Sequence, residues 1–438
     1  MSDAVDSLAA RTDLKAEIVA KLEGARARTL ELLAPLSDDD LTRQHSPLMS
    51  PLVWDLAHIG IFEELWLLRR VAGSAPLAPE YQGLYDAFSH ARAERAELPL
   101  MAPKQARAYV AEVRARTLEV LGEIDLDPAD RLLADGFVYG MVLQHEHQHC
   151  ETMLATLQLR DGRYPLADRE RPSGRRLDEE EVRVEGGSFV IGAEDEAWAY
   201  DNEREPHEVE LAPFRIDAAP VTNGAYLEFV EAGGYDDRGV WAEAGWSSRQ
   251  EVGVQHPEFW RREGEGSWSR TRFGHSEALA LDEPVQHVCW YEADAYARWA
   301  GKRLPTEAEW EKAASWSPAG KRRYAWGDAP PRDEANLSES RVFRPAPVGA
   351  YPNGASAAGA EQLIGDVWEW TSSDFAAYPG FTAFPYREYS EVFFGRDYKV
   401  LRGGSWATHP SAIRTTFRNW DFPIRRQIFA GFRCARDD

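Results

Sequence analysis

The sequence predicts two domains, an all-α four-helix bundle followed by an α+β domain of short elements and long loops. Up to about residue 160, apolar residues recur with the period of amphipathic helices. Beyond about residue 181, segments are short, and Gly, Pro, Asn and Trp become frequent. All 16 Trp except Trp54 and Trp66 lie in this second half. The length of 438 residues agrees with two or three domains.

Four long helices are predicted in the first half, near residues 13–33, 51–70, 104–122 and 134–159. Ser50 is a good N-cap for the second helix, and Pro51 fits its first position. Four helices of this length favour a bundle. We assign the bundle to residues 10–160, a charged linker containing Pro and Gly to residues 161–181, and the second domain to residues 182–438.

Composition narrows the possible partners and the compartment. The net charge of −23 argues against nucleic acid as a partner. Three widely spaced cysteines give no disulfide framework, and no run approaches the roughly 18 apolar residues of a membrane span. The N-terminus lacks the pattern of a signal peptide. We therefore expect a soluble cytoplasmic protein without a membrane partner, and the sequence leaves its oligomeric state open.

The stretch GMVLQHEHQHCETML, residues 140–154, holds the densest group of potential metal ligands. Each helical residue turns the chain by about 100°, so His145 and His149 share one face. Apolar neighbours on that face indicate that it points into the bundle. His147 and Glu151 are predicted to point outward.

On the second helix, His58 is the inward-facing histidine that can complete a set of three with His145 and His149. Three neutral imidazoles leave a divalent metal with open positions, which is typical of catalytic sites. Imidazole alone leaves Fe, Zn, Cu and Ni open. The alternative is three buried histidines that are satisfied by hydrogen bonds without any metal.

The two halves resemble two known families. The first, with WDLAH and QHEHQHCE, resembles the DinB-like helical bundle. The second resembles the formylglycine-generating enzymes, or sulfatase-modifying factors, whose fold is related to C-type lectins. Its phrases are VTNGAYLEF, EPVQHVCWYEADAYARWAGKRLPTEAEWEKA, YAWG, GDVWEWTSS, VLRGGSW and GFRC. Together, from about residue 12 to 436, they resemble the iron(II)-dependent sulfoxide synthases of ergothioneine biosynthesis, the hercynine oxygenases.

The formylglycine-generating activity itself is not expected. That chemistry uses a reactive cysteine pair, which the family places between RGGSW and GFRC. Here the interval ATHPSAIRTTFRNWDFPIRRQIFA contains no cysteine, and Cys434 belongs to the GFRC phrase. The chain therefore retains that scaffold without its nucleophile.

The resemblance implies a ferrous ion bound by His58, His145 and His149, with O2 as co-substrate. It implies oxidative joining of a cysteine sulfur to the imidazole C2 of hercynine, giving a sulfoxide. The family's tyrosine segment matches PYREYSEVFF, so Tyr386 is the expected catalytic residue and Tyr389 its neighbour in the substrate site. A phenol, with a pKa near 10, can donate a proton at neutral pH.

The resemblance also implies the residues that bind the two substrates, and we expect their site between the two domains. Hercynine would contact Gln148, Asn419 and Trp420, the last of which could offer a π face to the cation. The sulfur donor would contact Arg92, Arg95, Asp421 and Arg425. Arginine suits planar carboxylates, and Asp421 suits an ammonium group.

Some alternatives stay open at this point. SPLVWDLAHIG and FRNWDFPIRRQIF resemble the branch that uses γ-glutamylcysteine, but cysteine or glutathione could replace it. A metal-dependent thiol transferase of the DinB-like type would need neither O2 nor Tyr386. A non-enzymatic binding module would need no metal. The resemblance leaves open whether the second domain holds a structural calcium ion.

Overall fold

The computed structural model describes residues 2–167, 169–178 and 180–438, with side chains from residue 12 onward. These residues form two compact units. The first comprises the chain up to Pro165 together with Glu196–Trp198, and the second comprises Leu166–Asp195 and Ala199–Asp438. The predicted linker is thus divided at Pro165. Within the described residues, no helix is both long and apolar enough to span a bilayer.

The first unit is the predicted four-helix bundle, which is confirmed. Its long helices are α1 (Ser2–Leu33), α3 (Leu52–Glu63), α4 (Pro103–Glu123) and α5 (Phe137–Leu159). The short α2 (Asp38–Thr42) precedes α3, and a π-helical segment (Glu64–Val71) continues it. Single π-helical turns are rare and frequently accompany functional sites.

The start of α3 corrects the predicted cap. Pro51, and not Ser50, is the N-cap residue, and the helix begins at Leu52. The Ser50 hydroxyl instead accepts a hydrogen bond of 2.8 Å from Nη1 of Arg95. A tertiary contact to a buried guanidinium therefore takes the place of the local capping bond.

A buried group of four charges joins the four long helices. Arg26 of α1 donates to Glu63 of α3 and to Glu146 of α5, each at 2.8 Å. Arg114 of α4 donates to the same two carboxylates, also at 2.8 Å. Burial alone would raise the pKa of the Glu146 carboxyl, but Arg26 and Arg114 lower it. We call these four residues the charge quartet; it holds α5 in register against α3.

Residues 196–198 of the later chain belong to the bundle because Trp198 packs onto α5. The indole Nε1 donates to the Asp135 carbonyl at 3.0 Å, and the Trp198 carbonyl accepts from Gln144 Nε2 at 3.1 Å. A Cβ at Gly140 would lie 2.3 Å from the indole ring. Only glycine at position 140 lets the ring approach this closely.

The second unit contains short helices and small sheets, as predicted. Its helices are α6 (Asn223–Glu231), α7 (Glu243–Val252), α8 (Trp290–Trp299) and α9 (Glu307–Ser315). Its strands are β1 (Glu181–Val184), β2 (Gly187–Ile191), β3 (His207–Leu211), β4 (Phe214–Asp217), β5 (Trp260–Gly264), β6 (Ser267–Arg272), β7 (His275–Ala278), β8 (Trp368–Asp374), β9 (Lys399–Arg402), β10 (Asn419–Asp421), β11 (Ala430–Gly431) and β12 (Ala435–Asp437).

The described strands pair in four sheets, with the orders β1-β4-β12, β10-β9-β8-β11, β2-β3 and β5-β6-β7. The β8–β11 pair is parallel, and the other pairs are antiparallel. Strand β10 carries three of the predicted substrate-binding residues at an edge of its sheet.

The core of the second unit combines large rings with buried ion pairs. Trp310 Nε1 donates to Glu369 at 2.7 Å, and Arg433 pairs with the same carboxylate at 2.7 and 2.8 Å. Trp310 and Arg433 are fully buried. Because short elements bury little backbone, such side chains fix the loops between them.

We predict that Arg114→Met destabilises the bundle by about 3–5 kcal/mol, because it removes a hydrogen-bonded partner from two buried carboxylates. Urea denaturation of the full chain, followed by far-UV circular dichroism, measures this loss. Arg116→Met is the matched control, since Arg116 lies on the same helix in an exposed pair with Glu112. That variant should change stability by about 0.5 kcal/mol at most. Equal losses in both variants would contradict the role of the quartet.

Candidate metal centre and substrate-binding residues

The structure brings His58, His145 and His149 together inside the bundle. His58 lies on α3, and the other two lie one turn apart on α5. One ligand atom from each residue lies within 4.8 Å of the other two. Among the described residues, no other group of three or more His, Cys, Asp or Glu side chains meets this criterion.

The spacing of the ring nitrogens fits a shared metal ion. Nε2 of His58 and Nε2 of His145 lie 3.2 Å apart. Metal–nitrogen distances of about 2.0–2.1 Å with bond angles of about 90–110° place two ligand nitrogens about 2.9–3.4 Å apart. The ring centroid of His149 lies 4.7 Å from that of His58 and 4.6 Å from that of His145. The donor set therefore fits a three-histidine metal site.

Two of the imidazoles are oriented through their other nitrogen. Nδ1 of His58 donates to the Tyr85 carbonyl at 2.8 Å, and Nδ1 of His149 donates to Asp55 Oδ1 at 3.0 Å. Each bond assigns the proton to Nδ1, which leaves the lone pair on Nε2 for a metal. Asp55 precedes His58 by one helical turn and is 1% exposed.

His145 is held differently. Its ring stacks on Phe62 with a centroid separation of 3.8 Å and an interplanar angle of 16°. Its Nδ1 is buried and has no hydrogen-bond partner among the described residues. A buried nitrogen without a hydrogen-bond partner costs free energy. Stacking on Phe62, and not a hydrogen bond through Nδ1, therefore orients this ring.

Two of the three imidazoles are kept neutral by their surroundings. Burial lowers the pKa of His58 and of His145 well below the ordinary value, and the neighbouring His149 lowers both further. Metal ligands must be deprotonated on the coordinating nitrogen. The two buried rings therefore meet this requirement at neutral pH without losing a proton when a metal binds.

The predicted outward orientation of His147 is wrong. Its side chain is 3% exposed. Helix α5 is buried along most of its length, including Glu146 on one side and Cys150 on another. His147 does not belong to the group formed by His145, His149 and His58, but it is buried because α5 is surrounded by protein on several sides. Gln148, directly before His149, lies half-buried on the same helix.

Arg95 contacts the aromatic wall of the candidate metal centre. Its guanidinium carbon lies 3.8 Å from the centroid of the Trp54 ring, and that ring stacks on His58 at 4.5 Å. Arg95 also donates to the carbonyls of His90 and Ala87, at 3.2 and 2.9 Å. Burial, with the charge of Arg92, lowers the pKa of Arg95 to about 10, so the group remains charged at neutral pH.

Arg92 lies in the same short helical segment, Arg92–Glu97, but is exposed. Its Nη1 donates to the Leu48 carbonyl at 3.3 Å. The two predicted arginines therefore differ. Arg95 is buried and held by several bonds, whereas Arg92 presents its charge to solvent.

In the second unit, the predicted Tyr386, Tyr389 and Trp420 form one aromatic group. The ring of Tyr389 lies 6.2 Å from that of Tyr386 and 5.8 Å from that of Trp420, edge to face in both pairs. Tyr200, which the sequence reasoning missed, stacks on Tyr389 at 4.0 Å. Burial raises the pKa of Tyr386 well above its ordinary value, and Tyr200 and Asp201 raise it further. Tyr386 is therefore protonated at neutral pH.

One face of the Trp420 ring is covered. Its ring stacks on Phe375 at 4.1 Å and 7°, so that one face is already covered. Phe393 approaches at 5.5 Å. The Asn419 side-chain oxygen accepts a bond of 2.9 Å from the Trp420 backbone N–H. A cation contact to this indole, as the sequence suggests, is limited to its second face.

Asp421 and Arg425 form a pair with each other. Nε of Arg425 lies 3.5 Å from Asp421 Oδ1, which also accepts from the Phe422 N–H at 2.8 Å. Both side chains are partly exposed. A ligand with both a carboxylate and an ammonium group could exchange for the two partners of such a pair.

Sequence reasoning missed the groups that orient the ligands, namely Asp55, Phe62 and the Tyr85 carbonyl. Asp55 carried a readable signal, because the spacing Asp-x-x-His places it one turn before His58. Phe62 lies about one helical turn after His58, four residues later in the sequence. A backbone carbonyl from a loop 27 residues away leaves no signal in the sequence.

Comparison with known families agrees with this architecture. The model of the DinB superfamily matches residues 21–153, and that of the sulfatase-modifying factor enzyme 1-like domain matches residues 168–438. The protein thus belongs to the class that fuses a DinB-type helical bundle to a sulfatase-modifying-factor domain.

Curated relatives identify the family within that class. The hercynine oxygenase of Mycobacterium tuberculosis is 53% identical, covering 96% of this chain and 99% of the relative. That of Mycolicibacterium thermoresistibile is also 53% identical, over 97% and 95%. The formylglycine-generating enzyme of Streptomyces coelicolor is 36% identical over 59% of this chain and 89% of its own length. The chain belongs to the hercynine oxygenase family and is an oxidoreductase of the oxygenase class.

The cysteines argue against formylglycine chemistry. Cys150, Cys289 and Cys434 are all buried and unbridged. Burial raises the pKa of Cys150 to about 12 and those of Cys289 and Cys434 well above the ordinary value. A reactive cysteine needs an accessible thiolate, which none of these positions provides.

We predict that Asp55→Asn weakens binding of Fe(II) by about 10- to 100-fold. The amide oxygen can still accept the His149 Nδ1–H, but the negative charge that makes the ring a better donor is lost. Anaerobic titration of the metal-free protein against a competing chelator measures the affinity.

Glu64→Gln is the matched control for Asp55→Asn. Glu64 is a fully buried carboxylate in the segment that continues α3, and it accepts bonds from Tyr109 and Leu77. Its variant should bind Fe(II) as the unaltered protein does. Unchanged affinity in Asp55→Asn would contradict the role given to Asp55.

Proposed function

We propose that the protein joins γ-glutamylcysteine to the imidazole C2 of hercynine, using Fe(II) and O2, in ergothioneine biosynthesis. One observation carries the proposal: three imidazoles with ligand atoms within 4.8 Å of one another, two of them oriented through Nδ1. Membership of the hercynine oxygenase family supports the choice of substrate.

The proposed reaction balances with one O2. The thiol S–H and the imidazole C2–H bonds break, and a C–S bond forms. One oxygen atom remains on sulfur as the sulfoxide, and the other leaves as water with the two hydrogens. A ferrous ion with open coordination positions supplies thiolate binding and O2 activation.

In the bundle, the proposed role of the side chains is to bind the metal ion and to orient the groups around it. His58, His145 and His149 provide nitrogen donors, and Asp55 and the Tyr85 carbonyl keep two rings in the required tautomer. Gln148, beside His149, is the candidate contact for hercynine. Arg92 and Arg95 are the candidate partners for carboxylates of the sulfur donor, since guanidinium forms paired bonds with planar anions.

In the second unit, Tyr386 is the proposed proton donor. Its phenol is protonated at neutral pH because burial raises its pKa. A positioned acid of this kind can deliver a proton to a reduced oxygen species more reliably than bulk water does. Tyr386 therefore supplies a proton while the C–S bond forms, and the proton released from the imidazole C2 restores the phenol.

The remaining residues of the second unit match the charges of the two substrates. The aromatic rings of Tyr389 and Trp420 suit the trimethylammonium group of hercynine, and Asn419 supplies a polar amide beside them. Asp421 and Arg425 suit the ammonium and a carboxylate of γ-glutamylcysteine. The existing Asp421–Arg425 pair supports this assignment, because a zwitterionic ligand can replace both partners without leaving an unpaired charge.

We predict that the Fe(II)-loaded protein consumes O2 only when hercynine and a thiol are both present, with one O2 used for each sulfoxide. An oxygen electrode and mass spectrometry of the product measure this ratio. Parallel assays with γ-glutamylcysteine, cysteine and glutathione identify the donor. A thioether formed without O2 uptake would instead indicate a thiol transferase, and the absence of any product would indicate a binding module.

We predict that Tyr386→Phe lowers the rate of sulfoxide formation by about 10²-fold or more, because it removes the acidic proton and keeps the ring. Oxidation of the thiol alone should then account for most of the O2 consumed. Tyr296→Phe, which alters a buried phenol in the aromatic core of the same unit, is the control and should leave the product unchanged. An unaltered sulfoxide yield in Tyr386→Phe would reject the role of this tyrosine.

A further inference from the structure

A short buried turn, residues 200–203, contacts both segments that carry the predicted substrate residues of the second unit. It consists of Tyr200 and the helical turn Asp201–Glu203. The four residues are 4% exposed or less. The backbone N–H of Tyr200 donates to Glu203 Oε1 at 2.9 Å and closes the turn. We call this element the 200–203 turn.

Asp201 holds both ends of the loop that carries the two tyrosines. Its Oδ2 accepts the backbone N–H of Phe384 at 3.1 Å, and its Oδ1 accepts the Ser390 hydroxyl at 2.5 Å. Phe384 lies two residues before Tyr386, and Ser390 directly follows Tyr389. One carboxylate therefore fixes the two ends of residues 384–390, while the Tyr200 ring packs on Tyr389.

Glu203 and Asn202 hold the segment that leads into β10. The Glu203 carboxylate accepts from Nε of Arg414 at 2.7 Å and from the Thr416 hydroxyl at 2.8 Å. Nη1 of Arg418 donates to the Asn202 carbonyl at 2.7 Å. Asn419 and Trp420 follow directly. The turn is thus hydrogen-bonded to residues 384–390, which we call the tyrosine loop, on one side and to residues 414–418 on the other.

The groups that donate hydrogen bonds to Asp201 are neutral, so they compensate only part of the free energy lost when this carboxylate is desolvated. A backbone N–H and a serine hydroxyl compensate its charge less than a guanidinium would. Burial correspondingly raises the pKa of Asp201. Because the turn buries this carboxylate at a cost in desolvation free energy and uses it to hold two backbone positions of one loop, the arrangement points to a demand for precise position.

We infer that the 200–203 turn is a positioning element for the oxidative step, with Asp201 setting the place of the Tyr386 phenol relative to Trp420. Asp201 acts through the loop and is not a catalytic residue. The inference rests on the proposed role of Tyr386. Under this inference, the ratio of sulfoxide to oxidised thiol depends on the two hydrogen bonds that Asp201 accepts from Phe384 and Ser390. Neither bond is a predicted contact to a substrate.

Ser390→Ala is the first test, since it removes one bond and little volume. In the Fe(II)-loaded full chain, the ratio of sulfoxide to oxidised thiol should fall about fivefold, the equivalent of one ordinary hydrogen bond. Amide hydrogen exchange of residues 384–392 should quicken. Ser390→Thr keeps the hydroxyl and should restore the ratio.

Two further variants separate positioning from general stability. Ser315→Ala is the control, because Ser315 is as buried as Ser390 and its hydroxyl makes one bond within α9. It should leave the product ratio unchanged. Asp201→Ala should lower the ratio more than Ser390→Ala does. Asp201→Asn should rescue it, because the amide can accept from Phe384 N–H and donate to the Ser390 oxygen.

The outcomes distinguish this inference from the proposed function. If Tyr386→Phe shifts the product ratio and Ser390→Ala does not, the positioning role is overturned and the role of Tyr386 stands. If Ser390→Ala lowers the ratio further in a Tyr386→Phe background, the loop does not act through that phenol, and the inference is again overturned. If Tyr386→Phe alone leaves the ratio unchanged, the proposed function fails at that residue.

Discussion

The site depends on three imidazoles that present ring nitrogens to one another inside a helical bundle. The surrounding protein holds these rings together. A carbonyl orients His58, Asp55 orients His149, and Phe62 stacks on His145. A cation would pair with a ring nitrogen of each histidine at once, which is why the arrangement indicates a metal site more strongly than any single histidine does.

The charge quartet supports the same geometry from the other side of α5. Glu146 directly follows His145, and Glu63 lies near the end of α3, the helix of His58. Their bonds to Arg26 and Arg114 restrict sliding or rotation of α5 against α3. Small shifts along either helix would separate the ring nitrogens by more than a metal could bridge. Buried charges thus provide precision here at a cost in desolvation.

Helix periodicity was enough to predict the bundle and the face that His145 and His149 share, because both follow from local sequence. It failed at Ser50, whose hydroxyl serves Arg95, and at His147, which is buried because α5 is central. Phe375 covers one face of Trp420, and Asp201 accepts a hydrogen bond from the tyrosine loop. Both contacts join residues that are far apart in sequence. Spacing along the chain carries no information about such contacts, whereas the family resemblance located the tyrosines and arginines.

The central claim is that one ferrous ion is bound by three imidazoles, and X-ray absorption at the iron edge tests it most directly. The protein would be loaded anaerobically with one equivalent of Fe(II) and measured without substrates. The account predicts scattering from three histidine nitrogens, with the multiple-scattering pattern of imidazole rings, and oxygen atoms in the remaining positions. A first shell of oxygen alone, or one with sulfur from the protein's cysteines, would contradict it.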